Sequence, residues 1–148
     1  DKEGNHRGPN GWTVLMAAAY GGHTECVEII LYLDALKGSK ESTSFQSCIG
    51  VKAYDGRTAL MLAASQGHTQ CVKLLLEKEA RQIDILGECA LFKAVRWGHP
   101  DCVALLALYE RQVKDKNDQT ALDLAATILN RDAENSALQS CIDILSRE

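Results

Sequence analysis

The fold of this 148-residue chain is decided by the stretch GRTALMLAASQGHTQCVKLLL at residues 56–76. Its first part recurs as GWTVLMAAA at 11–19, GECALFKAV at 87–95 and DQTALDLAA at 118–126. Its second part recurs as GHTECVEIIL at 22–31 and GHPDCVALL at 98–106, and its end returns as CIDIL at 141–145. The chain is therefore built from four copies of one unit, and the last two steps are 31 residues long.

Each half of the unit is typical of a helix. Thr13, Thr58 and Thr120 precede the Ala-rich halves, where a side-chain oxygen can cap free backbone N–H groups. Cys89 replaces this threonine in the third copy, so we expect a weaker cap and a locally softer repeat. A glycine separates the halves and permits a sharp reversal. Such short units bury their apolar faces only by stacking, which predicts an all-α solenoid of helix–turn–helix units joined by β-hairpin-like loops.

The repeat spacing also suggests boundaries. We assign residues 11–55 to repeat 1, with an insertion near 32–48, then 56–86, 87–117 and 118–148 to repeats 2, 3 and 4. Residues 1–10 look like the tail of a preceding repeat, and repeat 4 looks like a C-terminal cap. The insertion could lengthen the second helix as far as Gly38 and then form a polar loop. In repeat 4, Ser136 and Gln139 have capping-box spacing.

This wording resembles the ankyrin-repeat family across residues 11–148. It is also similar to the ankyrin arrays of Giardia, which share the TALMLAA and GHT-x-CVKLLLEKE phrasing and the 31-residue period. The family's usual Thr-Pro-Leu-His segment is altered here, and we expect Met16, Met61 and Phe92 to replace its histidine with apolar packing. The resemblance implies a non-enzymatic module that binds a protein partner, acting as a scaffold segment.

Composition narrows the function classes. The net charge is −4, which does not favour nucleic acid as a partner, and no apolar run is long enough for membrane insertion. We find no nucleophile elbow, phosphate loop or paired-carboxylate spacing, and expect no enzyme activity, no cofactor and no metal. The six cysteines include no Cys-x-x-Cys pair, and free buried thiols favour a reducing, cytoplasmic location. We expect a monomer.

Two repeated polar positions could indicate a redox, metal-binding or catalytic site, but each has a simpler structural interpretation. Cys26, Cys71, Cys102 and Cys141 share one repeat position, and we expect them to be small buried thiols rather than a disulfide or zinc set. The three histidines of the GH pairs, at 23, 68 and 99, stand at a helix start. We expect them to act as caps and as links between repeats.

The resemblance places the partner on the concave face, formed by the hairpin tips and the exposed side of each first helix. Both tryptophans fall at these positions, together with tyrosine and arginine, which are enriched in binding hot spots. The predicted partner-binding residues are Trp12, Tyr20, Tyr54, Arg57, Ser65, Gln66, Ile85, Glu88, Arg96 and Trp97. Two alternatives remain open: a structural spacer within a longer array, or the regulatory arm of a kinase-like protein.

Overall fold

A computed structural model describes residues 10–36 and 49–147. These ranges contain eight helices and no strand: α1 Val14–Gly21, α2 Thr24–Leu36, α3 Ala59–Gln66, α4 Thr69–Glu79, α5 Ala90–Arg96, α6 Pro100–Glu110, α7 Ala121–Arg131 and α8 Ser136–Ser146. The expected preceding-repeat tail lies almost wholly outside the described residues, as does the expected polar loop of the insertion. The second helix of repeat 1 does continue beyond the length of α4, as far as Leu36.

The helices stack in two layers. The first helices α1, α3, α5 and α7 pack in series, and the second helices α2, α4, α6 and α8 form a parallel row. Each first helix also packs against the second helix of its own repeat. The prediction of an all-α solenoid is therefore confirmed for the described part of the chain.

Threonine caps fix where most of the first helices begin. The side chains of Thr13, Thr58 and Thr120 accept hydrogen bonds from the backbone N–H three residues later, as predicted. Thr120 also forms a capping box with Asp123. Cys89 gives α5 no side-chain cap, which agrees with the expectation for this position. Whether repeat 3 is softer stays a prediction.

The core runs along the seam between the two layers. Met16, Met61 and Phe92 are fully buried, which confirms the expected apolar packing at the position of the family histidine. Small residues of the first helices, such as Ala63 and Ala94, are buried beside them and allow close helix approach.

Two buried glutamates join the ends of α4 and α6 to the starts of α3 and α5, the first helices of the same repeats. Glu79 Oε1 accepts from the backbone N–H of Leu60 at 2.9 Å, and Oε2 accepts from Gly50 at 2.8 Å. Glu110 repeats the arrangement with Leu91 at 2.9 Å and with Arg81. Burial raises the pKa of both carboxyl groups, and the backbone N–H bonds oppose this rise only in part.

Histidines link neighbouring repeats. His68 Nε2 lies 2.9 Å from the carbonyl oxygen of Tyr20, and His99 Nε2 lies 3.0 Å from that of Ser65. The linking role expected for His23, His68 and His99 is confirmed for the last two. The capping role is wrong for both, because their side chains give no cap hydrogen bond to their own helices. Each ring instead turns toward the preceding repeat.

The cysteine column follows the same stacking. Cys71, Cys102 and Cys141 are buried as expected, and the first two lie 3.9 and 3.8 Å from the hydroxyl oxygens of Thr24 and Thr69 in the preceding repeat. The expectation is wrong for Cys26, which is exposed. No described repeat covers that end of α2, so the same repeat position has a different environment there.

Repeat 4 differs from the others in the length of its first helix. Its first helix α7 has 11 residues, whereas α1 and α3 have eight. The expected cap at Ser136 is wrong: Asn135 is the N-cap of α8, and its side chain accepts from the N–H of Leu138 at 2.9 Å. Asparagine competes well with serine for this position because its carbonyl oxygen reaches the same N–H group.

Candidate partner-binding surface

The hairpin tips between repeats are held by backbone contacts. Asp84 Oδ1 accepts from the N–H groups of Leu86 and Glu88 at 2.9 and 3.1 Å, and Asp115 makes the same turn in the next repeat. Neighbouring tips are joined because Ile85 N donates to the carbonyl oxygen of Asp55 at 3.1 Å. The tips therefore present their side chains in a fixed register.

An aromatic pocket lies at the first tips. The rings of Trp12 and Tyr20 are 5.1 Å apart between centroids and inclined by 55°. Tyr54 covers Gly11: a Cβ at this position would lie 2.6 Å from Cδ1 of the ring, and its φ of +77° also favours glycine. A pocket of about 160 Å³ opens here, lined by Asn10, Trp12, Tyr54, Asp55 and Arg57.

Charge in this pocket is paired. Arg57 Nε lies 2.9 Å from Asp55 Oδ2, and both side chains are about two-fifths exposed. The exposed pair contributes little to stability, but it holds the guanidinium beside the aromatic rings. The pocket thus offers stacking, cation–π and hydrogen-bonding contacts in one place.

A buried ion network supports the third repeat. Lys93 Nζ lies 2.7 Å from Asp84 Oδ2 and 3.0 Å from Glu88 Oε1, and all three side chains are buried. Burial alone would raise the pKa of Asp84, but the hydrogen bond and charge of Lys93, with the backbone N–H groups of Glu88 and Leu86, outweigh it and lower that pKa.

The network also holds one surface arginine. The second carboxylate oxygen of Glu88 accepts from Arg96 Nη2, and the side chain of Arg96 is about two-fifths exposed. Trp97, the next residue, is 62% exposed and ends α5. An arginine and a tryptophan are therefore presented side by side at the end of this helix.

The ten residues predicted from the sequence fall into three groups. Six are exposed: Tyr20, Tyr54, Gln66, Ile85, Arg96 and Trp97. Two are half-buried, Trp12 and Arg57. Two are buried, Ser65 and Glu88. Ser65 donates its hydroxyl to the carbonyl oxygen of Leu62 at 2.8 Å, and Glu88 belongs to the ion network, so both side chains are committed to the interior.

Lys93 was not predicted from the sequence to belong to the site or to support it. The other three copies carry Ala17, Leu62 and Leu124 at its position, so a single charged residue there was the available signal. Its contacts with Asp84 and Glu88 lie outside any helical spacing rule. These contacts form only because the hairpin folds against α5, which the sequence pattern does not indicate.

The buried thiols lack the features of a reactive site. Burial raises the pKa of Cys89, and burial raises that of Cys141 to about 11. Within residues 10–36 and 49–147, no group of three or more His, Cys, Asp or Glu side chains could hold a metal ion. None of the helices described combines the length and apolar character needed to cross a membrane.

Comparison with known families agrees with this architecture. The family model for ankyrin repeats (3 copies) matches residues 1–82 and 32–118. No curated protein matches the chain. The matched ranges cover most of the sequence, and the stacked helix pairs and hairpin tips are what such a match requires. The chain belongs to the ankyrin-repeat family.

Proposed function

We propose that this chain binds a protein partner through a tip surface formed by Tyr20, Tyr54, Arg57, Ile85, Leu86, Arg96 and Trp97. Ankyrin repeats generally mediate protein–protein interactions and are typically non-enzymatic, which supports the class of function. Trp97 carries the assignment to this surface. A tryptophan 62% exposed beside a fixed arginine is costly to leave in water and is a favoured hot-spot pair.

The apolar tips support the same proposal. Tyr54 is 71% exposed, and Ile85 and Leu86 are each more than half exposed. The stability of the tips does not depend on these exposed side chains, because the tip backbone is already held by Asp84 and by hydrogen bonds between tips. Apolar side chains on a rigid backbone lose little conformational entropy when a partner covers them.

Of the two buried residues, Glu88 takes an indirect part in this proposal and Ser65 takes none. Glu88 orients the guanidinium of Arg96, whereas the hydroxyl of Ser65 bonds within its own helix. Changing Glu88 would alter the surface through Arg96 and not by removing a contact with the partner.

A paired capture experiment tests the proposal. The chain and a Tyr54→Ala/Trp97→Ala variant serve as baits for lysate of the source cells, with mass spectrometry as the readout. The matched control is Tyr32→Ala/Leu33→Ala, which removes two exposed apolar side chains from α2. We expect one specific protein to be held by the chain and the control and lost by the tip variant. Recovery of the same proteins by all three baits would show that the tip surface is not the binding site.

One observation favours the spacer alternative. Val14 is 62% exposed, although its counterparts Ala59 and Ala90 are fully buried against the preceding repeat, and Cys26 and Ile29 are also exposed. An apolar end of this kind suits a segment stacked within a longer array. Equal capture by all baits, or by none, would favour this alternative.

A further inference from the structure

Three arginines converge on a second pocket, which shares no residue with the tip surface. Arg81, Arg111 and Arg147 line a space of about 390 Å³ at the ends of α6 and α8, together with Leu108, Tyr109 and Gln112. No carboxylate lies among the described lining residues. The chain carries a net charge of −4, so this cluster runs against the overall composition.

The backbone around Arg81 is built to hold its side chain here. Arg81 has a φ of +71°, a left-handed conformation that non-glycine residues adopt at a cost of about 1 kcal/mol. Its N–H donates to the buried carboxylate of Glu110 at 2.6 Å, and its Nε donates to the carbonyl oxygen of Tyr109 at 3.1 Å. Its two terminal nitrogens make no hydrogen bond with the described part of the chain and stay available to a ligand.

Arg111 is fixed in a similar way. Its terminal nitrogens donate to the carbonyl oxygens of Ile144, at 3.5 Å, and of Arg147. Its Nε is buried and has no acceptor in the described chain. A buried charged donor without a partner costs free energy, which an anionic oxygen at this place would recover.

Electrostatics favour an anion over any other occupant. The guanidinium groups repel one another, and among the described residues Glu110 beneath Arg81 supplies a compensating carboxylate. Arginine presents its N–H groups in a planar fork that matches carboxylate and phosphoryl oxygens. Leu108 is 79% exposed at the rim and adds an apolar contact for a peptide chain.

We propose that this arginine pocket binds an anionic oxygen group, a carboxylate or a phosphoryl, carried by a peptide segment of a partner. Arg81 and Arg111 are held ready by helix-end carbonyls, and Arg147 closes the pocket. The site is independent of the tip surface, so its failure would leave the proposed function standing.

The experiment is a titration of the ¹⁵N-labelled chain, followed at the arginine Nε–Hε resonances. The probes are inorganic phosphate, acetate and two matched peptides that carry a phosphoserine or an aspartate. We expect the Arg81 and Arg111 signals to shift and saturate, whereas that of Arg57, already paired with Asp55, stays in place. Saturation with phosphate and the phosphopeptide alone assigns a phosphoryl ligand. Saturation with acetate and the aspartate peptide as well assigns a general oxyanion site.

Variants separate binding from folding. Arg147→Gln removes a guanidinium group that makes no hydrogen bond or ion pair within the described residues, and we expect it to weaken binding about tenfold while melting is unchanged. Arg131→Gln, an exposed arginine at the end of α7, is the control and leaves affinity unchanged. The proposal is overturned if the shifts grow linearly, equal those from chloride at the same ionic strength, or persist equally in Arg147→Gln.

Discussion

The imidazole of His68 is bonded to the backbone of the preceding repeat, with Nε2 at 2.9 Å from the carbonyl oxygen of Tyr20. His99 stands in the same relationship to Ser65. Each of these bonds joins residues more than 30 positions apart in the sequence. The stability that is lost when one is removed therefore reports the contact between neighbouring repeats. No such bond is made by the side chain of His23 in the described chain, which supplies a natural control.

We expect His68→Ala and His99→Ala each to lower the free energy of unfolding by about 1 kcal/mol, because a carbonyl at a helix end loses its partner. His23→Ala should change it by less than about 0.5 kcal/mol. Urea denaturation followed by circular dichroism measures all three. Equal losses at the three histidines would mean that the inter-repeat bond adds nothing.

Gly22 and Gly67 are required for that contact. A Cβ on Gly22 would lie 2.6 Å from Nδ1 of His68, and one on Gly67 would lie 2.6 Å from Nδ1 of His99. Both glycines have φ near +75°. Gly50 has φ +80° but nothing within 4 Å of the same position. We expect Gly50→Ala to cost about 1 kcal/mol for the backbone alone, and Gly67→Ala to cost more because of the clash.

A double-mutant cycle isolates the clash. In Gly67→Ala/His99→Ala the ring is gone, so the two changes should be less damaging together than the sum of their separate effects. Strict additivity in urea denaturation would show that the ring and the glycine do not interact.

Glu110 satisfies two backbone N–H groups at once, from Leu91 and Arg81. In Glu110→Gln one of them faces an NH₂ group, and we expect a loss of about 1–3 kcal/mol. Glu79→Gln should behave alike, since Leu60 and Gly50 take the same places. The control is Glu77→Gln, an exposed residue of α4, with little expected change in the thermal midpoint.

The buried pair of Asp84 and Lys93 predicts a pH dependence. The pKa of Asp84 is lower in the folded chain than its ordinary value of 3.8, so the unfolded chain binds the proton more readily. The stability from this pair is complete above about pH 4 and is lost as the pH falls through the folded pKa. Asp84→Asn should therefore cost about 2 kcal/mol at neutral pH and progressively less below pH 4.

Denaturation of both proteins between pH 7 and pH 3 checks this prediction. Asp143→Asn, an exposed substitution on α8, serves as the reference for a carboxyl group outside the network. A destabilisation by Asp84→Asn that stays constant over the whole range would contradict the ionic role of the pair.

Trp97 should be dispensable for folding. Its side chain is mostly exposed and lies at the end of α5, so Trp97→Ala should leave helicity unchanged and shift stability by less than about 0.5 kcal/mol. A melting point many degrees lower would place Trp97 in the core. The tip surface would then lose the residue that defines it.

Much of the fold could be predicted from the repeat alone. Thr13, Thr58 and Thr120 marked helix starts correctly because a cap depends on contacts three residues apart. Glu79 and Leu60 lie 19 residues apart, and no local spacing relates them. For His68 and His99 the predicted link between repeats was right and the predicted cap was wrong, because the bonding partner of each ring belongs to another repeat and not to its own helix.

The candidate surface shows the same division. Exposure of Trp97 and Tyr54 followed from their repeat positions, whereas burial of Glu88 depended on its ion pair with Lys93 in the helix that follows it. Cys26 differed from its three counterparts because exposure is set by the neighbouring repeat and not by the residue type. The arginine pocket combines residues that follow three different second helices, so no single repeat contains it.

The ion network of repeat 3 has a consequence for engineering. Asp84 lies upstream of Gly87, the residue at which the sequence pattern starts anew, yet its carboxylate neutralises Lys93 on the helix that follows. A graft cut at Gly87 would import the buried ammonium group of Lys93 without Asp84, leaving it only Glu88, which is shared with Arg96. The portable unit therefore starts before Asp84, and designers who exchange this module between arrays should carry the whole preceding hairpin with it.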